Sequence, residues 1–346
     1  MNKVVVEIDK ARNPYSGLGQ FCIHLGKQLQ VYQPEDAELE FALSKKAGKP
    51  VGEEQNYHLI KNIQRYTGIQ AGQKSVWHTT HQDSPFVPKS GPKVLLTIHD
   101  LNFLEKYRNA LRHKWRLRLI QNKINRSSAV VTISEFTANQ VREHLNLRDK
   151  PLHVIYNGCV QHPGPSATPM QPVKGNFLFT IGVLQPRKNI EVLIPLMKML
   201  PDFKLVVSGN AQPKYGELLH HLVDQAGLHN RIIFTGPVTD AEKMWYYNNC
   251  TAFVFPSRSE GFGLPVIEAM NAGKPVFLST STCLPEIGGK EAFYWNTFDP
   301  AQMKDVLLKG LSSWTPEKQQ LSTQWAGRFS WENAAQHYWE VYKSLL

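Results

Sequence analysis

Two glutamates, Glu260 and Glu268, bracket the turn Gly261-Phe262-Gly263-Leu264-Pro265. Ahead of them, Thr251 to Pro256 is short, apolar and aromatic, which predicts a buried strand stopped by proline. Behind them, Leu264 to Ala272 predicts a helix with Pro265 in its first turn and Gly273 closing it. A strand, a glycine turn and a helix start aim backbone N–H groups and a partial positive charge at one point, and the usual guest there is a phosphate. Gly261 and Gly263 let backbone approach that guest. Carboxylates turned toward the phosphates would repel them. Glu260 and Glu268 therefore read as acceptors for hydroxyls on either side of a diphosphate, a sugar near Glu260 and a ribose near Glu268. The competing reading makes Glu260 a turn cap and Glu268 a solvated helix residue.

Other residues suit the same chemistry. Phe177 to Ile181 predicts a strand and Ile190 to Leu200 a helix, with Arg187-Lys188-Asn189 at its start. Cations are electrostatically wrong at a helix N-terminus unless an anion sits there, so Arg187 and Lys188 read as diphosphate ligands. His99 and Asp100 follow the predicted strand Lys93 to Ile98, and ligands of open α/β sheets bind beyond the carboxyl ends of strands. Backbone at Gly236, Pro237 and Val238, after another strand, is placed to edge a nucleotide base. Gly17 and Gly19 lie between the first strand, Val4 to Ile8, and a helix with Phe21, Leu25 and Leu29 on one face. That turn alone is a weak signal for a phosphate cradle.

The pair of glutamates with seven residues between them, Gly-Phe-Gly-Leu-Pro among these, resembles the donor-site signature of glycosyltransferase family 4, retaining enzymes of the GT-B fold and bacterial mannosyltransferase-like. Thr-Ile-His-Asp at 97–100, Ile-Ser-Glu-Phe-Thr at 133–137, Ile-Tyr-Asn-Gly at 155–158 and Arg-Lys-Asn at 187–189 are similar to further landmarks, so the resemblance spans nearly the whole chain. It implies that His99 contacts the donor hexose or the reaction centre and that Asp100 lies near the acceptor. Gly17 and Gly19 would face the donor phosphates or the acceptor, and Arg187 and Lys188 the diphosphate. The fold class expected is α/β: two doubly wound Rossmann-like domains facing across a cleft. Residues 1–165 would form the first and 172–328 the second, joined by a proline-rich linker, with a final helix over 329–346 returning to the first.

Composition agrees with a two-domain protein. The chain has 346 residues, 42% hydrophobic and 20% charged, with no apolar run near the roughly 18 residues of a membrane span. Four cysteines, Cys22, Cys159, Cys250 and Cys283, are scattered without a Cys-x-x-Cys or His-Cys cluster, which argues against structural zinc and for reduced thiols in a cytoplasmic setting. The net charge of +10 is concentrated: Lys106, Arg108, Arg112, Lys114, Arg116, Arg118, Lys123 and Arg126 fall in 21 residues without an acid. Leu111, Trp115 and Leu119 share one helical face there and Leu117, Ile120 and Ile124 another. Such a segment suits an anionic membrane surface, with the protein peripheral at the inner face; a solvated helix is the alternative. The segment from Ser44 to Lys74 is polar and carries no clear periodicity.

Together these readings predict transfer of a hexose, mannose- or glucose-type, from a GDP- or UDP-sugar to a hydroxyl of a glycan or lipid-linked acceptor in cell-surface polysaccharide synthesis. No Asp-x-Asp occurs, so no metal or other cofactor is expected, and catalysis rests on His99, Asp100 and Glu260. The alternative is a nucleotide-sugar epimerase of the same fold. A nucleic-acid partner is not expected, because the basic patch is confined to one helix and lacks interleaved aromatic platforms.

Overall fold

A computed structural model describes residues 2–14, 16–61, 63–64, 72, 74–106, 110–160 and 166–346. The chain divides into two compact units, Met1–Gly158 with Phe329–Leu346, and Cys159–Arg328. The first boundary falls after Gly158, ahead of the proline-rich stretch. Residues 161–165, the end of the expected first domain, lie outside the described residues.

Among the described residues the first unit holds a seven-stranded sheet in the order β3-β2-β1-β4-β5-β6-β7. Its strands are β1 (Asn2–Glu7), β2 (Ala37–Leu43), β3 (Tyr57–Leu59), β4 (Ser75–Thr79), β5 (Lys93–Ile98), β6 (Ala129–Thr132) and β7 (Leu152–Val154). Every neighbouring pair is parallel, which requires crossovers and buries both faces. That is why β4 to β6 read as near-continuous apolar runs. β7 and β3, the latter within the polar stretch, are three residues long each.

The final helix, Trp331–Leu345, belongs to the first unit and buries Trp331, Tyr338, Trp339 and Tyr342 there. Gly158 lies close against the start of this helix: a Cβ on it would stand 2.1 Å from the Trp331 backbone nitrogen. Under the sheet, His78 is fully buried and hydrogen-bonded to Tyr342 Oη at 2.7 Å and Thr97 Oγ1 at 2.8 Å.

The second unit has, among the described residues, a six-stranded parallel sheet in the order β10-β9-β8-β11-β12-β13. Its strands are β8 (Phe177–Ile181), β9 (Lys204–Ser208), β10 (Ile232–Gly236), β11 (Ala252–Phe255), β12 (Val276–Ser279) and β13 (Phe293–Trp295). In each sheet the strand order reverses at one place, between β1 and β4 in the first and between β8 and β11 in the second. Connections leave such a switch point in opposite directions and open a crevice at the carboxyl ends of the two strands.

The expected helix from Ile190 to Leu200 is shorter and starts differently. Two 3-10 turns, Pro186–Lys188 and Ile190–Val192, precede an α-helix over Leu193–Lys198. Asn189 between them is left-handed, at φ 57°, a conformation asparagine tolerates better than most residues.

Candidate functional site

The switch point of the second unit gathers the expected donor residues. Arg187 and Lys188 lie after β8, and Glu260 lies after β11, the strand paired with it. Lys188 Nζ is 2.6 Å from Glu260 Oε1, and Arg187 Nη1 is 2.9 Å from Glu260 Oε2. Sequence reasoning asked for an anion beside the two cations; in this structure the Glu260 carboxylate supplies it. Burial pushes the Glu260 carboxyl up, and the Lys188 and Arg187 charges overcome that and hold it below the ordinary carboxylate range. Burial draws the Lys188 ammonium down, against the pull of Glu260. Lys188 also sits over the Phe255 ring at 4.6 Å.

Several residues without a sequence signal hold this cluster. Ser257 Oγ donates to Glu260 Oε1 at 2.6 Å, and the Glu260 N–H donates to Thr282 Oγ1 at 3.1 Å. The Cys283 thiol donates to the carbonyls of Glu260 and Phe262 at 3.4 and 3.2 Å, and burial raises it well above the usual thiol range. Arg187 Nη1 donates to the Ser259 carbonyl at 2.6 Å, tying the two switch-point loops together.

The helix Leu264–Asn271 begins at Gly263, left-handed at φ 102°, with Pro265 in its first turn and no side chain capping it. Gly273 closes it at φ 68°. Glu268, one turn in, accepts from Lys243 Nζ at 2.9 Å and Tyr247 Oη at 2.8 Å. Lys243 and Tyr247 are four apart on the helix Asp240–Asn249 and so share a face. Burial works against the charge on Lys243, but Glu268 and Asp240 more than restore it and keep the ammonium protonated above its usual range. Glu268 is thus an oriented carboxylate rather than a solvated one.

Gly236, left-handed at φ 69°, ends β10 and helps line a concavity of about 290 Å³ with Leu184, Gly209, His220, Phe234 and Pro237. Val238 is not among the residues that line it.

The first unit presents the other expected residues at the carboxyl ends of its strands. His99 is buried, which lowers its pKa to about 4, with the Thr80 carbonyl opposing. Its Nε2 lies 2.8 Å from that carbonyl. A carbonyl only accepts, so Nε2 carries the proton and Nδ1 is the acceptor nitrogen. Asp100 is partly buried, and its Oδ1 accepts from the Asn102 N–H at 3.0 Å.

Gly17 and Gly19 open the helix Gly17–Val31. The Gly19 N–H is already taken by the N-cap Ser16 Oγ at 3.0 Å. A Cβ on Gly19 would stand 2.0 Å from the Asn13 carbonyl oxygen, so glycine there answers a close backbone approach. Around Gly17 there is open space.

The basic segment forms a helix over Ala110–Arg126; the Lys106 side chain and all of Arg108 lie outside the described residues. Ile120 and Ile124 pack inward with Leu117 beside them. The Leu111, Trp115 and Leu119 stripe faces outward, at 76, 63 and 43% exposure. The charge is less outward than its count suggests. Arg116 pairs with Asp83 at 2.7 Å and lies over the Phe103 ring, Lys123 donates to the Gln82 carbonyl, and Arg126 donates to the Pro92 carbonyl at 3.1 Å. Arg112, Lys114 and Arg118 are exposed.

Two family models match adjoining parts of the chain: residues 32–160 match Glycosyltransferase Family 4, and residues 168–324 match Glycosyl transferases group 1. The chain belongs to glycosyltransferase family 4. Within that family it is 31% identical over 266 residues to the serotype-specific mannosyltransferase WbdA of Escherichia coli, an alignment covering 72% of this chain and 31% of WbdA. This chain therefore spans about a third of the length of the WbdA relatives it matches. It is 24% identical over 382 residues to the O-antigen chain mannosyltransferase B of Escherichia coli, covering 99% and 100% of the two. In structure it is similar to Anabaena HepE in complex with UDP, with a TM-score of 0.78 at 18% identity and all of both chains covered. The sucrose-phosphate synthase of Thermosynechococcus elongatus gives 0.76 at 17%, covering 100% and 99%. These likenesses establish the fold as GT-B, two Rossmann-like parallel-sheet units. Among the described residues of this family 4 chain, no helix is long and apolar enough to cross a membrane, and no three His, Cys, Asp or Glu side chains gather as a metal site would require.

Proposed function

We propose that this chain moves a hexose from a nucleotide diphosphate sugar to a hydroxyl of a glycan or lipid-linked acceptor, with retention at the anomeric carbon and without a metal, in cell-surface polysaccharide synthesis. The observation that carries the reading is the meeting of Arg187, Lys188 and Glu260 at the β8/β11 switch point. The relatives named as mannosyltransferases favour mannose as the transferred sugar, carried on GDP or UDP. Arg187, Lys188 and the start of the Leu264–Asn271 helix hold the diphosphate and stabilise its charge as it leaves. Glu260 takes hexose hydroxyls, Glu268 takes the ribose, and Gly236 and Val238 edge the base. His99 accepts a hydroxyl of the transferred sugar, and Asp100 lies near the acceptor. The acceptor oxygen bonds to the anomeric carbon as the carbon–oxygen bond to the diphosphate breaks. The hydroxyl proton passes to the departing phosphate oxygen on the same face.

The test is incubation with GDP-mannose, UDP-glucose and a lipid-linked or oligosaccharide acceptor, in EDTA, with the new linkage read by NMR. Transfer with retained configuration supports the reading. An epimer formed from donor alone, inversion, or complete loss in EDTA would each overturn the corresponding part of it.

The outward face of the Ala110–Arg126 helix favours an anionic bilayer as the place of work. Trp115 and Leu119 offer an apolar stripe, and Lys114 and Arg118 beside them offer charge of the right sign. Each such cation contributes about 1 kcal/mol near an anionic surface. Co-sedimentation with vesicles containing anionic lipid, lost at high salt and in the Trp115→Ala variant, is expected; equal pelleting with neutral vesicles would exclude it.

A further inference from the structure

The connection after β4 is unlike an ordinary loop. Connecting segments run over the surface because their backbone polar groups need water. Here Thr80, His81, Gln82 and Ser84 are all buried, so their polar groups must be satisfied by protein.

Gln82 does so by bracketing one peptide unit. Its Oε1 accepts from the His99 N–H at 3.0 Å, and its Nε2 donates to the Asp100 carbonyl at 3.0 Å. The same short loop fixes the His99 ring, through the Thr80 carbonyl at 2.8 Å. The loop is itself pinned on both sides. Thr80 Oγ1 donates to the Glu7 carbonyl at 2.6 Å, Arg116 pairs with Asp83, and Lys123 donates to the Gln82 carbonyl. A glutamine amide supplies an acceptor oxygen and a donor NH2 side by side, which is what the N–H of one residue and the carbonyl of the residue after it require here. An alanine supplies neither, and a carboxylate supplies only the acceptor.

We propose that Gln82 is a positioning residue for the transfer reaction: its amide clamps the His99–Asp100 backbone at the end of β5 so that His99 meets the sugar in one fixed orientation. This rests on the placement of His99 at the reaction centre proposed above. Misplacing a reacting group by about 1 Å can cost on the order of a hundredfold in rate.

The experiment measures turnover of GDP-mannose and of UDP-glucose by the full chain and by Gln82→Ala, Gln82→Glu and His99→Ala. Gln82→Ala is expected to lower kcat ten- to a hundredfold with the donor KM within about threefold. Gln82→Glu keeps the shape but donates to the Asp100 carbonyl only when protonated. Its kcat should therefore be low at high pH and recover as pH falls, a rise that the parent enzyme does not show. That pH-dependent rescue keeps the test valid if Gln82→Ala fails to fold. A Gln82→Glu variant with the parent's rate and pH profile would overturn the inference while a defective His99→Ala leaves the underlying reading intact. A His99→Ala variant as active as the parent, or a parent that turns over neither donor, would overturn that reading and the inference with it.

Discussion

The Lys188 ammonium and the Glu260 carboxylate, 72 residues apart in sequence, stand 2.6 Å apart with side-chain exposures of 8 and 9%. Removing one partner of such a buried pair leaves an uncompensated charge, which costs about 3–5 kcal/mol. Lys188→Met and Glu260→Gln should each destabilise the second unit by about 3 kcal/mol in urea unfolding, and the double variant by less than the sum. Additive effects would show that the two charges do not couple.

The two glutamates should separate by ligand. Glu268 is oriented by Lys243 and Tyr247, whereas Glu260 is held by Lys188, Arg187 and Ser257. A hydrogen bond to a charged group contributes about 1.5–3 kcal/mol, so Glu268→Gln should weaken GDP or UDP about tenfold or more in calorimetry. Glu260→Gln, which frees Lys188 and Arg187 from their carboxylate, should not weaken bare nucleotide and should lower turnover. Equal effects of both changes on the bare nucleotide would refute this division of roles.

Glu7 gives a pH dependence with a definite sign. It is fully buried, and burial raises its carboxyl from 4.5 to about 7, with Ser84, the Asp9 N–H and Lys10 opposing and Asp9 reinforcing. A raised folded value means that its contribution is complete below the unfolded pKa and is lost as pH rises through about 7. The shift caps that contribution at about 3 kcal/mol. Glu7→Gln should flatten stability across this window and gain relative to the parent toward pH 8. Taking the difference between variant and parent cancels the buried His78 and His99, whose lowered pKa values act at lower pH in the opposite sense. Parallel pH–stability curves would contradict the assignment.

Gly158 tests how the chain's end is seated. A Cβ there would meet Trp331 backbone atoms at 2.1 and 2.4 Å, and backbone cannot swing aside as a side chain can. Gly158→Ala should therefore destabilise the first unit by about 3 kcal/mol and expose Trp331, which is 6% exposed in the parent. Unchanged stability with unchanged tryptophan emission would show that the junction has room.

Local pattern carried much of this protein. The buried strands β5 and β11 follow directly from the short apolar runs at Lys93 to Ile98 and Thr251 to Pro256. The helix after Gly263, with Pro265 at its start and Gly273 at its end, was equally legible. These features depend on steric and hydrogen-bonding preferences of residues next to one another. The polar stretch between Ser44 and Lys74 was not legible, because β3 exists only by pairing with β2, a contact that leaves no period in its own three residues.

The site divides the same way. Residue types marked Arg187, Lys188, Glu260, Glu268 and His99, since the chemistry of a diphosphate and of sugar hydroxyls needs cations and acceptors at strand ends. Their partners were decided by tertiary structure alone. That Glu260 lies against Lys188, that Glu268 is held by Lys243 and Tyr247, and that Gln82 brackets His99 and Asp100 are all consequences of which strands lie side by side. The basic helix shows the limit most clearly. Sequence counted its charges, but only packing decided that Arg116, Lys123 and Arg126 turn inward while Trp115 is left outside, because burial of Ile120 and Ile124 fixes the rotation of the whole helix.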